Sequence, residues 1–160
     1  MLQPGRVATL PKGTISDRHP ICENVFIQDL QVPTRKYTVA VIEDEDSFRR
    51  AIERLLQASG FKTDTFASAE DFLASAEYAS HACLVLDIHL PGMSGFDLLD
   101  HLTASHQPLP TVLITGQDHS ELRNRASRIP NCVYLRKPFL RTVLLDALHS
   151  LVEHGRSSDS

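Results

Sequence analysis

Ala82-Cys83-Leu84-Val85-Leu86 is an unbroken apolar run closed by Asp87. A run without polar alternation suits a strand buried on both faces better than one with a wet side. The pattern recurs outward in both directions, as Thr38-Val39-Ala40-Val41-Ile42, Thr111-Val112-Leu113-Ile114-Thr115 and Cys132-Val133-Tyr134-Leu135. Phe61 to Phe66 supplies a further strand. Helical stripes fill the gaps: Phe48, Ala51, Ile52, Leu55 and Leu56 before the stop signal Gly60; Leu98, Leu99 and Leu102 within 96–103; and Leu140, Val143, Leu144, Ala147, Leu148 and Leu151 at the end. Ser68-Ala69-Glu70-Asp71 resembles a capping box opening a short helix, and 120–129 reads as a weaker, Arg-rich helix. Strand and helix thus alternate five times, which implies a doubly wound α/β domain over 37–154, its parallel sheet covered on both faces by right-handed crossovers.

The rest of the chain reads as appendages. Residues 1–36 carry Pro4, Pro11, Pro20 and Pro33 at irregular spacing and are expected to form a largely irregular extension; 155–160 are expected to be a disordered tail. A length of 160 residues fits about one domain. The net charge is -4, and 38–154 hold 16 acidic against 10 basic groups. An acidic body is a poor footprint for nucleic acid or an anionic membrane, so neither is expected as a direct partner. No apolar run is long enough to span a bilayer, and no apolar block follows the N-terminus, so a cytoplasmic location is expected. Cys22, Cys83 and Cys132 are odd in number and far apart, which favours reduced thiols; Cys83 and Cys132 read as small core residues.

In open α/β sheets, sites form beyond the carboxyl ends of the strands, at the point where strand order reverses. The residues just past the buried strands are Glu43-Asp44-Glu45-Asp46, Asp87, Thr115 and Lys137-Pro138. Asp46 reads as an N-terminal helix cap. The other carboxylates would repel one another by about 1–4 kcal/mol per pair at ~4 Å, so the cluster calls for a compensating cation. Hard oxygen donors suit Mg²⁺, and the Lys137 ammonium compensates from the other side. His19, His81, His101, His106, His119, His149 and His154 lack paired zinc-ligand spacing and read as surface residues.

Val41-Ile42-Glu43-Asp44, Leu84-Val85-Leu86-Asp87-Ile88-His89-Leu90-Pro91-Gly92-Met93-Ser94-Gly95, Leu113-Ile114-Thr115-Gly116 and Leu135-Arg136-Lys137-Pro138-Phe139 together resemble the receiver domain of two-component response regulators, over 37–152. The core is similar to receivers attached to LuxR-type DNA-binding domains. The resemblance implies a flavodoxin-like (βα)5 three-layer sandwich with sheet order 2-1-3-4-5. It implies Asp87 as phosphoacceptor, and Mg²⁺ held by Glu43, Asp44, Asp87 and the main-chain carbonyl of His89. Thr115 would bond a phosphoryl oxygen, Lys137 would pair with Asp87 or the phosphoryl group, and Tyr134 would be the aromatic switch. Glu43 departs from the more common aspartate. His89 and Gln117 stand two residues past Asp87 and Thr115, where side chains flank the attacking water in the family. The Lys137–Pro138 bond is expected to be cis.

The expected function is a stand-alone phosphoacceptor receiver, not an enzyme beyond its own phosphorylation and dephosphorylation. Its partners would be a histidine kinase or histidine phosphotransfer protein and a downstream protein target, with a homodimer through the fourth helix, fifth strand and fifth helix as a further expectation. The alternative is the receiver half of a two-domain DNA-binding transcription regulator. An aspartyl-phosphate phosphohydrolase would show a second acid where His89 stands. A flavin-binding module would need a phosphate-cradling loop where Glu43-Asp44-Glu45-Asp46 stands.

Overall fold

The structure is a computed structural model and describes residues 37–157. The expectations for 1–36, for Cys22 and for 158–160 lie outside the described residues. The elements run β1 (Thr38–Ile42), α1 (Asp46–Ala58), β2 (Lys62–Phe66), α2 (Ala69–Ala74), a 3₁₀ turn (Tyr78–Ser80), β3 (Cys83–Asp87), α3 (Gly95–Ala104), β4 (Thr111–Thr115), α4 (Ser120–Ser127), β5 (Cys132–Arg136) and α5 (Arg141–Ser157). All neighbouring strands pair parallel, in the order β2-β1-β3-β4-β5.

Alternation along each strand sends its side chains into two separate cores. Ala40, Ile42, Leu84, Leu86 and Leu113 pack with Phe72, Phe96, Leu98, Leu102 and Ala126, so α2, α3 and α4 cover one face. Val39, Val41, Cys83, Val85, Val112 and Ile114 pack with Ile52, Leu56, Leu144, Leu148 and Leu151, so α1 and α5 cover the other. The unbroken apolar runs follow from this double coverage: β1, β3 and β4 have no wet side.

Several local expectations need correction. Glu45, not Asp46, is the N-cap of α1; its side chain makes no capping bond, and Asp46 is the first helical residue, paired with Arg49 and Arg50. Ser68 accepts from the Asp71 amide as a cap, while the reciprocal capping box stands at Ser94 and Asp97 of α3. That Ser-x-x-Asp spacing is in the sequence, hidden by the adjoining Pro-Gly loop. The terminal segment is helical to Ser157 rather than irregular from 155. One glycine costs a helix only about 1 kcal/mol, and Leu148, Leu151 and Val152 anchor the turns before Gly155. Leu140 precedes that helix and is exposed, as is Val143, so the buried seam is narrower than the apolar stripe. His81 is buried rather than superficial: Nδ1 lies 2.9 Å from the Tyr78 carbonyl and Nε2 2.9 Å from Asp64 Oδ2. Both ring nitrogens are satisfied, which is what makes its burial tolerable. No helix among the described residues is long and apolar enough to cross a membrane.

Candidate functional site

The sheet register assembles the site. Ile42 pairs with Leu86, so Glu43 emerges opposite Asp87 at the ends of the two central strands. Asp87 pairs with Ile114, and Thr115 with Arg136, so Thr115 and Lys137 emerge on the same rim from β4 and β5. The Lys137 amide donates to the Thr115 carbonyl at 2.8 Å, and the Lys137–Pro138 bond is cis as expected. Glu43, Asp44 and Asp87 each offer an oxygen within 4.8 Å of the others.

Burial sets the electrostatics. Glu43 is 1% and Asp87 5% exposed, while Asp44 faces solvent. Desolvation pushes the Glu43 carboxyl up to about 7; the Lys137 bond and the Glu45 amide, at 3.1 Å from Oε1, work against that rise. The Lys137 ammonium donates to Glu43 Oε2 at 2.9 Å and to Asp87 Oδ2 at 3.2 Å. Burial lowers its pKa, but these two carboxylates more than offset that and hold it above its ordinary range. The other oxygen of Asp87, Oδ1, accepts the His89 amide at 2.9 Å. A single ammonium thus serves two buried carboxylates, with a third carboxylate beside them. Three hard oxygens around a charge deficit fit a divalent cation of the Mg²⁺ kind.

The β3–α3 connection depends on close approach. A Cβ on Gly95 would stand 2.5 Å from the Asp87 carbonyl oxygen and 2.9 Å from Ile88 Cα, so only glycine lets α3 start against the end of β3. Gly92 has φ +78°, the left-handed region that favours glycine. Beside it, the Met93 amide donates to Glu70 Oε1 at 2.8 Å, tying this loop to α2.

Thr115 is fully buried, and its hydroxyl is engaged: it donates to the Gln117 carbonyl at 2.8 Å and accepts the Gln117 amide at 3.0 Å. His89 Nδ1 lies 3.3 Å from the same oxygen, so this exposed histidine reaches back to the rim. The half-buried Tyr134 donates its OH to Asp118 Oδ1 at 3.2 Å, and Asp118 is also paired with Arg123 and Arg136. The Arg123 bond leads in holding the Asp118 carboxyl below its usual range. Glu43, Asp44, Asp87, Thr115 and Lys137 therefore meet at one rim, whereas Tyr134 is tied to the loop after β4. Two further contacts leave no signal in the residue pattern. Arg49 Nη1 donates to the Glu43 carbonyl at 2.8 Å, and Lys137 Nζ lies over the Phe48 ring, 4.2 Å from its centre.

Comparison with known proteins agrees with this geometry. The family model for the response regulator receiver domain matches residues 39–149. The chain is 33% identical over 118 residues to the transcriptional regulatory protein FixJ of Rhizobium meliloti, covering 74% of this chain and 58% of that protein. It is 36% identical over 121 residues to nodulation protein W of Bradyrhizobium diazoefficiens, covering 76% and 53%. The chain thus spans little more than half the length of these curated relatives. Among solved structures, FixJ-N superposes with a TM-score of 0.68 at 33% identity, covering 74% of this chain and 94% of that one. The response regulator StyR gives 0.70 at 36% identity, covering 76% and 61%.

Proposed function

The chain belongs to the response regulator receiver domain family, and from that premise we propose that it is a phosphoacceptor whose acceptor is Asp87. The observation that carries the reading is the shared ammonium: Lys137 bonds both Asp87 and Glu43 at the end of the central strands, with Asp44 beside them. The donor would be a histidine kinase or a histidine phosphotransfer protein. One Asp87 carboxylate oxygen attacks the phosphorus; the new O–P bond forms as the bond from phosphorus to the donor nitrogen breaks, and the donor imidazole leaves with that electron pair. Lys137 holds the carboxylate in place and faces the charge that arrives. Glu43, Asp44, Asp87 and the His89 carbonyl would hold Mg²⁺, which when bound neutralises phosphoryl oxygens. The chain acts as catalyst only for its own phosphorylation and dephosphorylation.

Output is proposed to run through Thr115 and Tyr134. Phosphorylation adds about 1.5–2 negative charges and strong acceptors. The Thr115 hydroxyl would exchange its Gln117 carbonyl partner for a phosphoryl oxygen, and Tyr134 would leave Asp118 to fill the space behind β4. That changes the α4-β5-α5 face, where a protein target or a second copy would bind. A second reading is favoured by the comparisons: the relative named as a transcriptional regulatory protein is longer than the matched region. On that reading the same switch controls a DNA-binding part, and the length of the native coding frame decides between the two. The phosphoacceptor assignment is tested by incubating the protein with acetyl phosphate and Mg²⁺ and mapping the adduct by peptide mass spectrometry. The expected site is Asp87; an adduct on any other residue refutes the assignment.

A further inference from the structure

The helical stripe of α1 accounts for Ile52 and Leu56, which are buried in the core between α1, α5 and the sheet. Phe48 stands in the same stripe and packs against that core, but it carries a further contact. This ring lies at the rim end of the helix, only half-buried, and one face is turned to a cation. Lys137 Nζ sits over it, 4.2 Å from its centre. Its other ring contact is edge-to-face with Phe139, 6.1 Å between centres at 79°. Phe139 lies two residues past Lys137, so one aromatic pair joins α1 to the loop that carries the ammonium.

We propose that Phe48 is a positioning residue for phosphoryl transfer, its ring face holding the Lys137 ammonium against Glu43 and Asp87. Lysine is among the side chains that lose most rotamer freedom on ordering, and with two acceptors alone its ammonium is free to swing toward water. The electron-rich ring face attracts a cation, most strongly where water is excluded. The ring also displaces water from one side of the ammonium, so the charge acts on Asp87 through a medium of lower dielectric. Phe48 touches neither Asp87 nor an incoming group; it works through Lys137. The inference rests on the proposed role of Asp87 and Lys137, and two separate readouts distinguish failure of one from failure of the other.

The test compares Phe48→Leu and Phe48→Tyr with the unaltered full chain. Leucine keeps an apolar side chain in the stripe and removes the π face; tyrosine restores the face. With acetyl phosphate and saturating Mg²⁺, Phe48→Leu is expected to be phosphorylated about three- to tenfold more slowly, with Phe48→Tyr within about twofold of the original. A Phe48→Leu protein that reacts at the original rate, or a Phe48→Tyr protein as slow as the leucine variant, overturns the proposal. The second readout needs no phosphorylation: the side-chain ammonium signal of Lys137 in ¹H–¹⁵N spectra, assigned by its loss in Lys137→Arg. Ring current shifts this signal in the original and in Phe48→Tyr; in Phe48→Leu the shift disappears. If the unaltered protein accepts no phosphate, the phosphoacceptor reading falls, and the ammonium spectra still decide whether Phe48 holds Lys137. An ammonium signal identical in all three proteins overturns the proposal even where Phe48→Leu fails to fold, because the Phe48→Tyr and original spectra then lack the expected ring-current shift.

Discussion

At the scale of single residues, the site is a problem of charge. Three carboxylates cluster where one ammonium serves two of them, and Asp44 is the member that solvent already reaches. Removing it relieves like-charge repulsion and deletes a hard oxygen donor. Asp44→Ala is therefore expected to unfold at the original temperature or above it, while its affinity for Mg²⁺ drops by at least about tenfold, as read by titration calorimetry. Metal affinity equal to that of the unaltered protein would remove Asp44 from the ligand set. Cys83 shows burial as the leading effect on a titrating group. Desolvation pushes its thiol from the ordinary 9.0 to about 12. The unfolded chain therefore releases this proton first as pH rises, so Cys83 costs nothing below about pH 9 and lowers stability progressively between 9 and 12. At neutral pH its sulfur stays a buried thiol, and iodoacetamide should leave it unlabelled until the protein is denatured. Labelling of Cys83 in the native protein, seen by peptide mapping, would contradict the burial argument.

At the scale of elements, the site is made by strand ends, and its proposed read-out lies in the loops that follow them. Thr115 closes β4 and Tyr134 lies in β5, yet the hydroxyl faces Gln117 and the phenol faces Asp118, both in the loop after β4. Thr115→Ala is expected to accept phosphate at Asp87 and to show no phosphorylation-dependent change in self-association by light scattering. A Thr115→Ala protein that responds to phosphorylation as the original does would cut this coupling. The strands and their terminal carboxylates are legible in the sequence because double burial leaves unbroken apolar runs, and any charge at their ends stands out. Asp87 after Leu86 and Glu43 after Ile42 are of this kind. What escapes the sequence is contact between elements whose side chains meet only once the helices have packed. Phe48 over Lys137 is one case, and Arg49 on the Glu43 carbonyl another. The burial of His81 escapes for the same reason, since its partners Asp64 and Tyr78 come from β2 and the turn before β3. The start of α1 is blurred because the acidic run past β1 leads straight into it: Glu45 is the N-cap and Asp46 the first helical residue.

At the scale of the whole molecule, the doubly wound sheet exists to bring four strand ends to one rim. Two cores hold β1 and β3 on both faces, so Glu43 and Asp87 stand at the ends of strands with no wet side. Thr115 and Lys137 come from the next strands outward, and the parts proposed to move lie farther still, on β5 and the loop after β4. A buried acceptor with the parts proposed to move at the periphery is the arrangement a phosphorylation-controlled binding module requires. Asp87 is the one carboxylate proposed to receive the phosphoryl group. The most direct measurement is the intact mass of the full chain after acetyl phosphate treatment, with Mg²⁺ and with a chelator, on the original protein and on Asp87→Asn. The expected result is the added mass of one phosphoryl group in the original protein with Mg²⁺, and no adduct with the chelator or in Asp87→Asn. A full-yield adduct on Asp87→Asn would contradict it.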